Sequence, residues 1–134
     1  MADSILCVID FSESSRKALQ WAVANAITHK SHITILHPYR LTRGQYGENP
    51  IDLRKKIEAA AKKSFDILEE DLLRNKSISY DFRSEVGFIA DRVENHTKNH
   101  PVSCMVVDKN IRADNKESFD DLVESAKIPL VIIS

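Results

Sequence analysis

The sequence predicts a single α/β domain over residues 1–134, built on a five-stranded parallel sheet with helices on both faces. Two observations predict this class. Short apolar runs, which fit buried strands, alternate along the chain with longer segments whose apolar residues recur at helical spacing. A chain of 134 residues is also long enough for one hydrophobic core and short for two, and no repeat or interdomain linker divides it.

The expected strands are recognised by their apolar runs and by the breaks between them. The run at 5–9 is continuous, as is typical of a strand that is covered on both faces. Ile78, Tyr80 and Phe82 instead alternate with polar residues, which indicates an edge strand with one solvated face. The five predicted strands are residues 5–9, 33–36, 78–83, 104–107 and 129–134.

Four helices are expected from apolar periodicity and from capping signals. Ser12 is the predicted N-cap of the first helix, with the carboxylate of Glu13 in its first turn. Pro38 opens the longest predicted loop, which extends to Pro50. The predicted helices are residues 13–28, residues 52–74, a helix between Gly87 and Pro101, and a helix marked by Phe119, Leu122, Val123 and Ala126.

The strand order follows from the edge position of the third strand and from the preference for right-handed crossovers. The simplest doubly wound arrangement is 3-2-1-4-5, with its switch point between strands one and four. Ligands of such sheets bind at the carboxyl ends of the strands that flank this point. The candidate ligand-binding ends are therefore residues 10–12 and 108–110.

Composition and charge exclude several classes of function. The chain has 19 basic and 20 acidic side chains, which argues against a nucleic-acid or membrane-surface partner that is held mainly by electrostatics. It has no apolar run of transmembrane length and no basic region ahead of an apolar one at its start, so a cytoplasmic location is expected. Cys7 and Cys104 lie in apolar runs and are expected to be structural thiols.

Two histidine pairs, His29 with His32 and His96 with His100, raise the alternative of a metal site. Pro101 disfavours a helical conformation at His100, and the deduced order puts the first and third helices on opposite faces of the sheet. No metal site is therefore expected. No Ser-His-Asp grouping or paired-carboxylate motif stands out either, so the chain is not expected to be an enzyme.

Four segments together resemble the universal stress protein superfamily: ILCVIDFSESSRKALQWAV, HITILH, VGF and KIPLVIIS. The resemblance covers nearly the whole chain. It implies a Rossmann-like fold of the adenine nucleotide alpha hydrolase-like type, with five parallel strands in the order deduced above. It also implies a homodimer that forms by antiparallel pairing of the last strand.

ATP-binding members of that superfamily carry the motif G-x2-G-x9-G-[ST] between strand four and helix four. This chain has no glycine in that loop. The motif's last glycine corresponds to Lys116 and its hydroxyl residue to Glu117, whose charge would oppose a phosphate at the helix N-terminus. The remaining charges of the loop are mixed in sign, which is typical of a solvated surface. ATP is therefore not expected to bind in the manner of the family.

An altered nucleotide site is the alternative, and it would accept adenosine or AMP, because a nucleoside needs no phosphate cradle. Asp10 matches the strand-one aspartate that lies near the nucleotide in ATP-binding members, although it would also serve to cap the first helix with Ser12. His37 and the backbone of Leu36 would lie on the adenine side. The residues of this alternative site are Asp10, Ser12, Leu36, His37 and Asp108.

The favoured prediction is a universal stress protein-like regulatory protein of the stress response that acts through protein interaction. No cofactor is expected, with ATP or AMP as the disfavoured alternative. Residues 130–133 of the last strand are all apolar although the strand lies at an edge, and a bare apolar edge strand favours pairing with another chain. A homodimer is therefore predicted through Leu130, Val131, Ile132 and Ile133, with a further protein partner of unknown identity.

Overall fold

The structure is a computed structural model that describes residues 4–41, 49–111, 124 and 127–133. Its five strands form one parallel sheet in the order β3-β2-β1-β4-β5, which confirms the predicted fold class. The strands are β1 (Ser4–Val8), β2 (His32–Tyr39), β3 (Ser79–Val86), β4 (Cys104–Asp108) and β5 (Leu130–Ile133). The helices are α1 (Glu13–His29), α2 (Pro50–Leu68) and α3 (Ile89–Asn99), and a π-helical segment (Glu69–Leu73) continues α2. The residues that predict a fourth helix lie outside the described residues.

The core has two halves, one on each face of the sheet. Ile5, Cys7 and Ile9 pack on the face that α1 and α2 cover, with Ala18, Leu19 and Phe65 among their neighbours. Leu6 and Val8 pack on the opposite face, together with Ile89 and Val93 of α3. The continuous apolar run at the start of the chain is thus buried on both faces, as predicted.

Strand β2 is longer than predicted, because Pro38 lies within it instead of opening the loop. In a parallel strand, alternate residues direct their backbone groups to the same neighbour. The Leu36 carbonyl accepts from the Ile9 N–H at 2.9 Å, so position 38 faces the same side, where β1 has already ended. Proline has no N–H to donate to β1, and the pairing of β1 with β2 ends at Val8 and Leu36. Tyr39 still accepts from the Gly87 N–H at 2.8 Å.

The second helix also departs from the regular spacing that predicts it. Ala61, Phe65 and Leu68 are buried as expected, but the π-helical segment then adds a residue to the turn. As a result Leu73 is buried, at 1% exposure, whereas Leu72 is only partly buried. Helical periodicity assumes 3.6 residues per turn throughout, so the sequence pattern points to the wrong leucine at this end.

The turn between β3 and α3 contains Gly87, the one described glycine with a positive φ, at +143°. Only glycine adopts such a conformation without strain. The side chain of Arg92 folds against it, and a Cβ at position 87 would lie 2.9 Å from Arg92 Nε. The backbone conformation and the packing of Arg92 both depend on the missing Cβ.

Replacing Gly87 with alanine should lower the free energy of unfolding by about 1–3 kcal/mol, because the strained backbone persists even if the flexible arginine moves away. Urea denaturation of G87A, R92A and the double variant measures this. The loss from G87A should be the same in the R92A background. If R92A instead abolishes the loss, crowding rather than the backbone conformation is responsible.

Candidate functional site

The candidate site lies at the carboxyl ends of β1 and β4, which are neighbours in the sheet, with Val8 beside Val107. Asp10 and Ser12 follow β1 and begin α1, while Asp108 is the last residue of β4. The structure thus brings the predicted residues that follow the first and fourth strands close together, at the switch point of the strand order.

Asp10 takes part in a compact hydrogen-bond network at the start of α1. Its Oδ1 accepts from the Ser12 N–H at 3.0 Å and from the Ser15 hydroxyl at 2.6 Å. Ser12 is the N-cap, and its hydroxyl accepts from the Ser15 N–H at 3.1 Å. The Ser15 hydroxyl in turn accepts from the Asp10 N–H at 3.0 Å. These bonds use the polar groups of the turn to stabilise the helix terminus.

Sequence reasoning missed Ser15, although a signal was present. It is buried, and it occupies the third helical position after the N-cap Ser12, where the partner residue of a capping box is normally found. That partner is usually Glu or Gln. Here the shorter serine side chain forms its hydrogen bonds with the N–H and the carboxylate of Asp10.

Phe11 adopts a left-handed backbone conformation, with φ of 64°, which is rare for a bulky residue. This conformation directs its ring onto β2 and β3, with centroid distances of 4.8 Å to the His37 ring and 6.0 Å to the Phe82 ring. The ring therefore packs over His37, on the side of the site where the adenine of the alternative reading would lie. Strain of this kind persists only where surrounding packing holds it.

His37 lies on β2 and not in a loop, since the strand continues to Tyr39. Its Nδ1 is hydrogen-bonded with the Ser84 hydroxyl at 3.0 Å, and its ring stacks on Tyr39 at 5.7 Å. Burial lowers the pKa of His37 below its ordinary value of 6.5, and the nearby charge of Asp10 opposes that effect only in part. The imidazole is therefore neutral at pH 7 and is built into the packing of the sheet.

Leu36 and Asp108 are both buried, and their polar groups also have partners within the chain. The Leu36 carbonyl accepts from the Ile9 N–H. Asp108 is 1% exposed; its Oδ2 accepts from the Asn110 N–H at 3.0 Å and its carbonyl accepts from the Ile111 N–H at 3.1 Å. Asp108 thus closes the turn that follows β4. Lys116 and Glu117 lie outside the described residues.

A cleft of about 220 Å³ adjoins this edge, between the start of α1 and α2. Phe11 forms one wall and Ile67 of α2, which is 64% exposed, forms part of the other. Arg16 also lines the cleft, but its guanidinium donates to Asp71 Oδ2 at 3.0 Å. The cleft is small, and its lining is mostly apolar.

The two histidine pairs do not form a four-histidine site, because His29 ends α1 whereas His96 and His100 lie at the end of α3. Among the described residues, no group of three or more His, Cys, Asp or Glu side chains could hold a metal ion. His100 is extended, with φ of −141°, as Pro101 predicts. Helices α1 and α3 lie on opposite faces of the sheet. Within the described part of the chain, no helix is both long and apolar enough to cross a membrane.

A family model described as the universal stress protein family matches residues 1–134. The chain belongs to this family. A universal stress protein family structure from Burkholderia pseudomallei is 17% identical, with a TM-score of 0.78, and the match covers 98% of this chain and 95% of that one. The UspA protein of Lactobacillus plantarum is 20% identical, with a TM-score of 0.74 and coverage of 98% and 97%. No curated protein matches the sequence at a significant level.

A third solved structure is a universal stress protein from Archaeoglobus fulgidus in complex with dAMP. It is 12% identical to this universal stress protein, with a TM-score of 0.66, and the match covers 100% of this chain and 98% of that one. At such identities, the likeness to the solved structures shows the shared fold.

The network at Asp10 leads to a prediction about helix capping. Asp10→Ala should lower the free energy of unfolding by about 1–2 kcal/mol, because the Ser12 N–H and the Ser15 hydroxyl lose their acceptor. Asp10→Asn keeps one oxygen as acceptor and should lose less. Thermal and urea denaturation measure both variants. Unchanged stability of Asp10→Ala would contradict the capping role.

Proposed function

We propose that this universal stress protein acts in a regulatory or stress response as a cytoplasmic homodimer that works through protein interaction, without catalysis and without binding ATP in the family's manner. Membership of the family supports the stress-response role. The observation that carries the interaction role is the outer edge of β5. The partner beyond the dimer is another protein, and the site residues do not specify which one.

The backbone geometry of β5 determines which groups an added strand would meet. The Met105 N–H donates to the Pro129 carbonyl at 2.9 Å, and the Lys109 N–H donates to the Ile133 carbonyl at 3.0 Å. Since alternate residues of a strand face the same neighbour, Val131 also faces β4, whereas Leu130 and Ile132 direct their N–H and C=O groups outward. Among the described residues, no strand pairs with that side.

The side chains of β5 add an apolar surface to this open backbone edge. All four are apolar, none is fully buried, and Ile132 is 45% exposed. An exposed apolar edge strand favours pairing with another chain. Antiparallel pairing of two copies around a twofold axis would satisfy the outward groups of Leu130 and Ile132 in both chains at once and join the two sheets into one.

The geometry at the carboxyl ends of β1 and β4 supports the proposed absence of family-type ATP binding. The oxygens and rings that would meet a nucleotide have partners within the chain, because Asp10 caps α1 and Phe11 packs over His37. The loop after β4 also lacks the glycines that let a backbone approach phosphate closely. A ligand would have to displace Phe11 and compete with existing hydrogen bonds.

Replacing Ile132 with proline should convert the dimer to a folded monomer. Proline removes an N–H that faces away from β4, so the monomer loses no hydrogen bond of its sheet, while the paired strand loses one in each copy. Sedimentation equilibrium over a range of concentrations measures the mass, and far-UV circular dichroism verifies the fold.

Ile132→Ala is the matched control, because it shortens the side chain and keeps the N–H. It should weaken the dimer without abolishing it. A folded Ile132→Pro protein that retains the dimer mass would rule out pairing through β5. A wild-type protein that is monomeric at all concentrations would contradict the homodimer itself.

Binding of an adenine nucleotide or nucleoside through an altered phosphate loop is the second candidate, because a protein of the same fold was solved in complex with dAMP. A denatured sample of the protein is first checked by chromatography for nucleotide carried through purification. Calorimetric titration of the folded protein with ATP, AMP and adenosine then separates the two proposals. We expect no binding of ATP. A dissociation constant below about 100 μM for any of the three would instead favour the nucleotide-binding role.

A further inference from the structure

A second cluster of polar side chains lies on the α3 face of the sheet, at its β3 edge, away from the candidate site. Thr34 pairs with Asp81 in the register of β2 and β3, and Leu36 with Arg83. Leu36 packs in the core half that α3 covers, so the other members of these pairs face α3 as well. The cluster consists of His32, Thr34, Asp81, Arg83, His96 and His100.

Asp81 is the acceptor at the centre of this cluster, and its carboxylate is already shared among three donors. Its Oδ1 accepts from His32 Nε2 at 2.7 Å and from the Thr34 hydroxyl at 2.8 Å, and its Oδ2 accepts from Arg83 Nε at 2.9 Å. Burial alone would raise the pKa of Asp81, but these hydrogen bonds outweigh it and hold the pKa below its usual value. Asp81 therefore stays ionised in the pH range where histidine titrates.

His96 is the member of this cluster that lies within α3, and it is only 4% exposed. Its ring stacks on that of His100, with centroids 4.4 Å apart and an angle of 13° between the planes. Its Nε2 is buried and has no hydrogen-bond partner among the described residues. A neutral imidazole tolerates this, whereas an imidazolium would bury an N–H donor and a charge without a partner.

The charges around His96 add to this cost. Burial lowers the pKa of His96 most, followed by the repulsion from His100 and Arg83, while the attraction of Asp81 opposes them. Elsewhere beneath α3, strands β1, β2 and β4 contribute apolar side chains to this half of the core: Leu6, Val8, Leu36, Met105 and Val107. The carboxylate of Asp81 that attracts His96 is thus shared with three other donors, and none of the other described strands beneath the helix supplies a carboxylate to this half of the core.

The same histidines hold the end of α3. The His100 N–H donates to the His96 carbonyl at 2.9 Å, and His100 Nδ1 donates to that carbonyl at 3.2 Å. The chain then leaves the helix in an extended conformation towards Pro101. A change at His96 therefore acts directly on the last turn of α3.

We propose that the His96–His100 stack is an acid-sensitive latch, which holds the last turn of α3 against the sheet at neutral pH and releases it when His96 is protonated. Release uncovers the polar cluster at the β3 edge, including Arg83 and Asp81. The device is independent of the β5 edge and of the candidate nucleotide site.

The direction of the pH dependence follows from proton linkage. His96 binds its proton less readily in the closed state than in the open state, where its pKa is near 6.5. The latch is fully effective above that value, weakens as the pH falls below it, and stops changing once the closed state is protonated as well. Between the two pKa values, the opening equilibrium rises by about tenfold per pH unit.

Amide hydrogen exchange by NMR tests the latch, with rates converted to protection factors so that the intrinsic pH dependence cancels. From pH 7.5 to 5.5, protection of the His100 amide and of the last turn of α3 should fall by up to about tenfold relative to amides in β1. The reference to β1 is needed because His37 titrates low as well and affects global stability. An equal fall in β1 would mean global unfolding and would overturn the proposal.

His96→Phe keeps an aromatic ring without a titratable group and should make the protection of this turn independent of pH. His29→Gln, at the exposed end of α1, is the matched control and should retain the wild-type response. If His96→Phe fails to fold, the NMR titration of His96 in the wild-type protein decides. A His96 midpoint at or above the ordinary histidine value of 6.5, or a response that persists in His96→Phe, would refute the latch.

Discussion

Strand β1 lies between β2 and β4, and its side chains are buried on both faces of the sheet. This double burial is the constraint on which the other elements depend. Helices must cover both faces, so α1 and α2 pack on one and α3 on the other. Parallel pairing then places the carboxyl ends of β1 and β4 side by side, and the candidate site lies at these two ends. The burial of a few apolar residues thus determines both the core and the position of any ligand site.

Much of this arrangement follows from the sequence, because apolar burial leaves a direct pattern in it. The continuous run at β1 and the alternation in β3 were sufficient to predict the central and edge positions, and hence the strand order. The departures come from backbone geometry. A π-helical segment shifts burial to Leu73, and Pro38 lies in β2 beyond Leu36, the last residue of β2 that pairs with β1. Hydrophobic pattern carries no information on either.

The candidate site was predictable only in part, for a related reason. Asp10 and Ser12 were placed correctly at the start of α1 because N-capping has a sequence signature. The positive φ of Phe11 has none, since it depends on the packing of that ring against His37 and Phe82. The conformation that places the Phe11 ring beside His37 therefore cannot be predicted from propensity and spacing. Residues of the loop that follows β4 lie outside the described part of the chain, so the expectation for Lys116 and Glu117 stays a prediction.

The switch point between β1 and β4 differs from the polar cluster at β3 in whether its buried polar groups have hydrogen-bond partners. At the switch point, the Asp10 carboxylate, the Leu36 carbonyl and one Asp108 oxygen each accept a hydrogen bond from the chain itself. At the β3 edge, the Nε2 of His96 is buried without a partner among the described residues. A buried polar group whose bonds are made resists change, whereas one without a partner makes the local structure depend on its protonation state. The proposed latch therefore lies on the α3 face of the sheet and not at the switch point, where these polar groups already have partners.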